Sequence, residues 1–235
     1  MALTKPTKRG RHDHAAPQKQ DDPVPGDLDS DEHEPPEAGK PEEPQELPDE
    51  VLHLCMQLHD AGHRAEIRRG QVVVTPPAGR ESTYIVDRLS NLLIPLKLAN
   101  NWRFHQTWGV HIPPYQDLRL PDLMVAPDEV EQFDDMRMCG HCALLVVEVC
   151  SPGTYKVDWK EKPLDYARAG VPLYLIVDPV TSPRRVTLMS DPLSDLQPLD
   201  HHRQAYRQIV TAEEDEALEL PWPFGIKIET SALFD

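Results

Sequence analysis

Residues 143–178 read ALLVVEVCSPGTYKVDWKEKPLDYARAGVPLYLIVD, and this stretch decides the fold class. Its two apolar runs, residues 143–150 and 173–178, have the length and composition of buried strands. Between them, residues 157–169 predict a helix that ends at Gly170. A strand, a helix and a second strand usually form a parallel pair with a right-handed crossover, so the stretch predicts an α/β domain.

An acidic residue interrupts the first apolar run. Glu148 lies inside it, and Asp122 closes another apolar stretch 26 residues earlier, directly after Pro121. A carboxylate in a buried strand is unfavourable unless a cation or hydrogen bonds stabilise it. The two acids therefore predict a cation site at neighbouring strand ends. The alternative is that Glu148 faces solvent on an edge strand and that Asp122 only caps a turn.

The residue types around these acids suit phosphodiester hydrolysis. Mg²⁺ prefers oxygen ligands and is usually held by one or two carboxylates together with waters and phosphate oxygens. A metal ion lowers the pKa of its bound water, and a nearby lysine can orient that water or stabilise the developing charge. The segment Lys160-Glu-Lys162 supplies such ammonium groups after the second acid.

Two segments carry a resemblance to a known family. They are residues 145–179, with Glu148, Ser151-Pro152 and Lys162, and Leu120-Pro121-Asp122-Leu-Met-Val-Ala-Pro-Asp128. Both resemble the Uma family of predicted bacterial restriction endonucleases, which belongs to the PD-(D/E)xK nuclease superfamily. The resemblance covers about residues 60–235. It implies a restriction-endonuclease-like mixed sheet with flanking helices, and a Mg²⁺-dependent endonuclease, with Mn²⁺ as a possible substitute, that acts on DNA.

The resemblance also implies roles for single residues. Asp122 and Glu148 become the metal-binding acids. Two positions after the glutamate, where the superfamily has a lysine, this chain has Cys150. The resemblance therefore assigns the lysine role to Lys162 first and Lys160 second, and we expect Lys162 to be accessible to solvent.

A third acid, at the start of the first core helix, is expected near the metal. Glu81 is expected to add a ligand to the metal through a water. Ser82 follows it where the family has a histidine.

The rest of the chain predicts the remaining elements. We expect a short helix over residues 49–63, a hairpin turned at Gly70, and a core helix over 82–99 that Pro95 kinks or ends. The core helix should bury Ile85, Val86, Leu89, Leu92, Leu93 and Leu96. Strands are predicted at 102–106, 107–112 and 118–126, and short, mainly antiparallel strands at 185–189, 204–211, 217–220 and 226–229.

Composition separates residues 1–48 from the domain at 49–235. The first 48 residues contain nine prolines, 12 acidic and six basic residues, which predicts a disordered tail.

No apolar run reaches the roughly 20 residues that span a bilayer, and the polar start lacks the apolar region of a signal peptide. With four unevenly placed cysteines, this predicts a cytoplasmic protein that does not bind membranes. A net charge of −16 argues against tight nonspecific DNA binding.

Two other readings remain open. One is a catalytically inactive nuclease-fold module that binds nucleic acid or protein, which Cys150 and Ser82 favour. The other is a zinc-binding regulator that uses Cys139, His141 and Cys142, although no second Cys/His pair accompanies them. DNA is the expected partner, and a homodimer is left open.

Overall fold

A computed structural model describes residues 46–197 and 203–235 of the chain. Most of the predicted tail, residues 1–45, lies outside the described residues. The described part is a mixed α/β fold, as predicted. Its helices are α1 Asp49–Asp60, α2 Arg80–Asn100, α3 Tyr155–Lys160, α4 Lys162–Arg168 and α5 Ser231–Phe234. Its strands are β1 Arg64–Arg68, β2 Gln71–Thr75, β3 Trp102–His105, β4 Gly109–Ile112, β5 Asp117–Arg119, β6 Leu123–Pro127, β7 Arg137–Cys139, β8 Leu145–Val149, β9 Leu173–Asp178, β10 Arg185–Pro192, β11 Tyr206–Glu213, β12 Ala217–Leu220 and β13 Ile226–Glu229.

The larger sheet has six strands in the order β11-β10-β9-β8-β6-β3. Strands β8 and β9 are parallel, which confirms the pairing predicted from residues 143–178. The connection between them contains two short helices, α3 and α4, so the prediction of one continuous helix over 157–169 is wrong. Pro163 explains the break, because it lacks a backbone N–H and is tolerated only in the first turn of a helix.

Alternation along β8 decides which way Glu148 faces. Leu145, Val147 and Val149 belong to the core that contains the buried face of α2. Val146 belongs to the core on the other side of the sheet, together with residues of α4. Successive side chains of a strand point to opposite faces. Glu148 therefore faces α4, on the same side as Val146.

Helix α2 covers the first of these cores. Ile85, Val86, Leu89 and Leu93 are buried at helical spacing, as predicted. The helix runs past Pro95 to Asn100, so the expectation that this proline ends it early is wrong. Leu92 was also predicted to be buried but is 41% exposed, and Leu96 is partly buried against the core. The apolar stripe is thus narrower than the run of leucines in the sequence.

The second sheet has five strands in the order β2-β1-β5-β4-β7. The predicted hairpin is confirmed, with β1 and β2 antiparallel on either side of Gly70. One strand was predicted over residues 118–126, but the structure contains two, β5 in the smaller sheet and β6 in the larger. The backbone of Leu120 is held at the crossing, where its N–H donates to Glu66 and its carbonyl accepts from Arg64. These two bonds explain why the chain leaves one sheet there and enters the other.

The strands near the C-terminus agree with the sequence. Strands β10 and β11 pair antiparallel, as do β12 and β13. Strand β7, the 3₁₀ turn Gly140–Cys142 that follows it, and α5 were not predicted. Within residues 46–197 and 203–235, no helix combines the length and the apolar character needed to cross a lipid bilayer.

Pro95 gives the first testable prediction. It lies exposed in the interior of α2, where a proline removes one helical hydrogen bond. Pro95→Ala should raise the free energy of unfolding by about 1–3 kcal/mol, measured by urea denaturation. Leu98→Ala, at a position of the same helix that is 76% exposed, replaces one good helix former with another and should shift it by no more than about 0.5 kcal/mol. Equal or lower stability of Pro95→Ala would contradict this account.

His111 gives a prediction about acid stability. Its ring stacks on Phe133 with the ring centres 3.7 Å apart. Burial, and then the charge of Arg137, lower its pKa from 6.5 to about 4, against the opposing effect of Asp134. Because the pKa of His111 is lower in the folded protein than in the unfolded chain, the neutral ring contributes stability that is fully present above pH 6.5. This contribution is lost as the pH falls towards 4.

The experiment compares two variants. The free energy of unfolding of His111→Gln should fall less between pH 6.5 and 4 than that of the unaltered protein. His53→Gln, at an exposed position of α1, should keep the original pH dependence. An identical slope for His111→Gln and the unaltered protein would show that His111 is not buried in its neutral form.

Candidate active site

A cavity of about 190 Å³ opens where β1, the start of α2, the end of β8 and helices α3 and α4 converge. Asp122, Glu148 and Lys162 all line it, so the structure brings together the three residues that the sequence placed first. Its other polar and charged side chains are those of Arg64, Glu66, Arg68, Thr75, Ser82, Ser151, Thr154 and Asp158.

Asp122 is fixed against the end of β8. Its Oδ2 accepts a hydrogen bond of 2.8 Å from the N–H of Val149, and its own N–H donates to the carbonyl of Val147 at 3.1 Å. Its Oδ1 lies 3.2 Å from Nη2 of Arg64. Strands β6 and β8 are antiparallel neighbours, which places Asp122 beside the end of the strand that carries Glu148.

Glu148 is buried and lies between a hydroxyl group and an ammonium group. Its Oε1 accepts a 2.6 Å hydrogen bond from the hydroxyl of Tyr166, and its Oε2 lies 2.7 Å from Nζ of Lys162. Burial raises the pKa of Glu148 to about 8, and the charges of Asp122 and Asp158 add to this despite Lys162. Burial, the largest of these effects, disfavours the ionised carboxylate, and a bound cation would favour it.

Lys162 joins two buried carboxyl groups. Its Nζ lies 2.7 Å from Glu148 and 2.8 Å from Oδ1 of Asp158. Its side chain is only 6% exposed, so the expectation of a solvent-accessible lysine is wrong. Burial would lower its pKa, but Glu148 and then Glu66 outweigh burial and raise it, which keeps the ammonium charged. The second oxygen of Asp158, Oδ2, is buried and has no hydrogen-bond partner among the described residues.

Glu66 and Asp158 are the two acids of the cavity that the sequence analysis missed. Glu66 lies on β1 with 1% exposure, and its Oε2 is 2.8 Å from Arg68 and 3.1 Å from Arg119. Burial would raise its pKa, but Lys162, Arg119 and Arg68 outweigh burial and lower it to about 2. Glu66 is thus fully ionised and fully paired. The available signal was a single acid between Ala65 and Ile67 in a predicted strand, the same signal that identified Glu148.

Two sequence candidates do not line this cavity. Lys160 is exposed and lines a different cavity, beside Trp159 and Leu164. Glu81 also lines a different cavity, formed by the start of α2 and the C-terminal residues Phe234 and Asp235. Its neighbour Ser82 is the residue that α2 contributes to the cavity with Asp122 and Glu148.

Cys150 occupies the position at which the superfamily has its lysine. The residue is 1% exposed. Burial, followed by the charges of Asp158 and Asp178, raises the pKa of its thiol, which is therefore neutral. It supplies no positive charge, and the ammonium group in contact with Glu148 comes from Lys162 on α4.

The donor atoms of the cavity fit a hard divalent cation. Asp122 and Glu148 offer carboxylate oxygens, and Asp158 has a buried oxygen without a hydrogen-bond partner in the described part of the chain. Mg²⁺ and Mn²⁺ accept such oxygen ligands and retain waters. The thiol of Cys150 does not line the cavity.

Two of three comparisons with known proteins find a match. Residues 48–231 match the model of the Uma2 family, which is described as "putative restriction endonuclease". Among solved structures, a nuclease of the DUF820 group from Anabaena variabilis ATCC 29413, described as "putative", has a TM-score of 0.53 at 14% identity. The alignment covers 72% of this chain and 89% of that one. A comparison with curated proteins finds no significant match.

The burial of Lys162 leads to a stability prediction. Lys162→Met would leave Glu148 and Asp158 without their shared cation. Breaking a buried ion pair by removing one partner typically costs about 3–5 kcal/mol, so the free energy of unfolding at pH 7 should fall by that amount. Lys160→Met, two positions earlier and exposed, should change it by less than about 0.5 kcal/mol. Chemical denaturation of both variants measures the difference, and equal effects would contradict the geometry described.

Proposed function

The chain belongs to the Uma2 family, and on this premise we propose that it is a Mg²⁺-dependent endonuclease that hydrolyses phosphodiester bonds of DNA. One observation carries the proposal. A charged lysine lies 2.7 Å from a buried glutamate, and both line one cavity with Asp122. Two acids and a lysine in one cavity provide the means to hold a cation, orient a water and stabilise a developing negative charge.

In the proposed mechanism Asp122 and Glu148 hold the cation, and Mn²⁺ can replace Mg²⁺. Held by these two acids, such a cation would supply a water of lowered pKa and positive charge against the phosphoryl group. The hydroxyl of Tyr166 and the N–H of Val149 orient the two acids through one hydrogen bond each. These bonds hold the carboxylates in place before the substrate arrives.

Lys162 acts as a fixed positive charge in this proposal. Its raised pKa keeps the proton on Nζ, so it donates hydrogen bonds and does not act as a base. Arg64 and Arg68 line the same cavity and supply guanidinium groups that can bind phosphate oxygens. Lys160 and Glu81 do not line the cavity, and the mechanism does not use them.

The charge of the chain predicts how it binds DNA. The net charge of −16 opposes binding to a polyanion, while Arg64 and Arg68 attract phosphates locally. We therefore propose weak binding with few phosphate contacts, whose affinity depends only shallowly on salt. The comparisons give no support for a homodimer, and none is proposed.

A second candidate function is an inactive nuclease-fold module that binds nucleic acid or protein. Cys150 favours this alternative, because a neutral buried thiol replaces the lysine of the superfamily motif. The position of Lys162 against Glu148 favours catalysis, since it restores the missing charge at the same carboxylate. Activity of the purified protein separates the two.

The first experiment measures nicking of supercoiled plasmid by the full chain with Mg²⁺, with Mn²⁺ and with EDTA. Cleavage should require the divalent cation. Asp122→Asn and Glu148→Gln should each lower the rate by at least about 100-fold, the scale of losing one charge-stabilising group. Both substitutions keep an oxygen that can accept the present hydrogen bond, so circular dichroism should show folded protein.

Asp128→Asn is the matched control. Asp128 follows β6, is exposed and pairs with Arg103, outside the cavity. Its substitution should leave the nicking rate within about twofold, as for an exposed charge remote from the site. DNA binding without cleavage in either metal would support the inactive module, and cleavage that survives both acid substitutions would refute the assigned site.

A further inference from the structure

A second group of metal-binding side chains lies outside the proposed active site. Ligand atoms of Glu131, His141 and Cys142 lie within 4.8 Å of one another. Glu131 precedes β7, and the other two residues lie in the 3₁₀ turn that follows it. None of the three lines the cavity with Asp122 and Glu148. The proposed nuclease therefore does not explain this group.

Cys139 supplies a second cysteine three residues before Cys142. It is the last residue of β7 and is half-buried. Burial raises the pKa of its thiol, and the charges of Glu131 and Cys142 raise it further. Its sulfur is not among the ligand atoms that lie within 4.8 Å of one another, so its side chain would have to turn towards them to bind the same ion.

The distances among Glu131, His141 and Cys142 suit three ligands of a tetrahedral ion with little rearrangement. Bonds of about 2.0–2.2 Å to nitrogen and oxygen place two neighbouring ligands of zinc roughly 3.4 Å apart. Nε2 of His141 and Oε2 of Glu131 are already 3.3 Å apart. A sulfur and a nitrogen ligand would be about 3.6 Å apart, so Cys142 needs to move by no more than roughly 1 Å.

The backbone holds this group in a fixed turn. The N–H of Cys139 donates to the carbonyl of Glu131 at 3.0 Å, and the N–H of Ala143 donates to the carbonyl of Gly140 at 3.0 Å. A Cβ added at Gly140 would lie 2.6 Å from the carbonyl oxygen of Ala169, so only glycine allows this close approach. The turn is therefore packed against the end of α4 and does not depend on a metal for its shape.

We propose that Glu131, Cys139, His141 and Cys142 bind one Zn²⁺. Thiolate and imidazole ligands select zinc over Mg²⁺, which prefers oxygen alone. Each thiol must lose a proton to bind the ion, so formation of the site releases two protons to solvent while the sulfurs remain reduced. The ion would join the segment before β7 to the turn after it, as a structural site does.

The experiment uses the full chain, purified with a reducing agent and stripped of metal with a chelator. Titration with Co²⁺ should produce thiolate-to-cobalt absorption that saturates at one equivalent, and added Zn²⁺ should remove it. Competition with a chromophoric chelator then measures the zinc affinity. Cys142→Ser should weaken it by at least about 100-fold, since even partners of metal ligands change affinity by 10–100-fold. Glu131→Gln and His141→Ala should also weaken it.

Matched controls separate this site from others. Glu129→Gln changes an exposed acid two residues from Glu131, and His53→Ala changes an exposed histidine on α1. Both should keep the zinc affinity of the unaltered protein. Asp122→Asn should keep it too, because that substitution affects only the proposed magnesium site. Loss of thiolate-bound zinc in Asp122→Asn, but not in Cys142→Ser, would refute the assignment.

Two further results would overturn the proposal. One is a cobalt complex without thiolate absorption. The other is a Cys139–Cys142 disulfide, found by mass spectrometry of protein kept under reducing agent, which would identify a redox pair. Nuclease activity plays no part in these readouts, so failure of the proposed function would not affect the outcome.

Discussion

The contact on which the proposed site depends is that of the Lys162 ammonium with two buried carboxyl groups. Glu148 comes from the central strand β8, Asp158 from α3 and Lys162 from α4. The ammonium group of Lys162 therefore connects the crossover helices to the sheet. Without it, the face of β8 that meets α4 would bury two acids against each other. Glu148 keeps a raised pKa even with this cation, whereas Glu66 on β1 is lowered to about 2. The two acids of one cavity therefore differ in pKa because burial dominates at Glu148, whereas Lys162, Arg119 and Arg68 outweigh burial at Glu66.

Strand β1 positions Asp122 by holding the backbone of Leu120, two residues earlier. Glu66 and Arg64 bind the N–H and the carbonyl of Leu120, at the point where the chain passes from the smaller sheet to the larger. Two residues later Asp122 meets the end of β8 and bonds to Val149. Glu66 is also anchored by Arg119, which bonds to Asp165 on α4. Through these links Glu66 positions the segment that carries Asp122 and connects it to α4.

The sequence predicts the elements that local pattern determines. The parallel pair β8 and β9, the hairpin at Gly70 and the strands near the C-terminus follow from apolar runs and turn residues, and Asp122 and Glu148 follow from acids at strand positions. Glu66 has the same local signal as Glu148, but its pairing with Arg119 and the crossing at Leu120 have none, because these contacts join residues more than 50 positions apart in sequence. The break between α3 and α4 could have been read from Pro163. The burial of Lys162 could not be predicted in this way, since it depends on how α3 and α4 pack on the sheet and bury its partner Asp158.

The two cation sites that we propose differ in the chemistry of their ligands. The cavity with Asp122 and Glu148 presents oxygen atoms, and its one nearby cysteine, Cys150, is a neutral thiol that does not line it. The proposed ligands in and around β7 and the turn after it are two sulfurs, an imidazole and only one carboxylate. A hard ion that keeps its waters suits the first set, and a softer tetrahedral ion suits the second. This division follows from the placement of cysteine and histidine in the turn and their absence from the cavity. A chain with both sites can thus keep a zinc ion in its structure while a magnesium ion exchanges at the proposed active site.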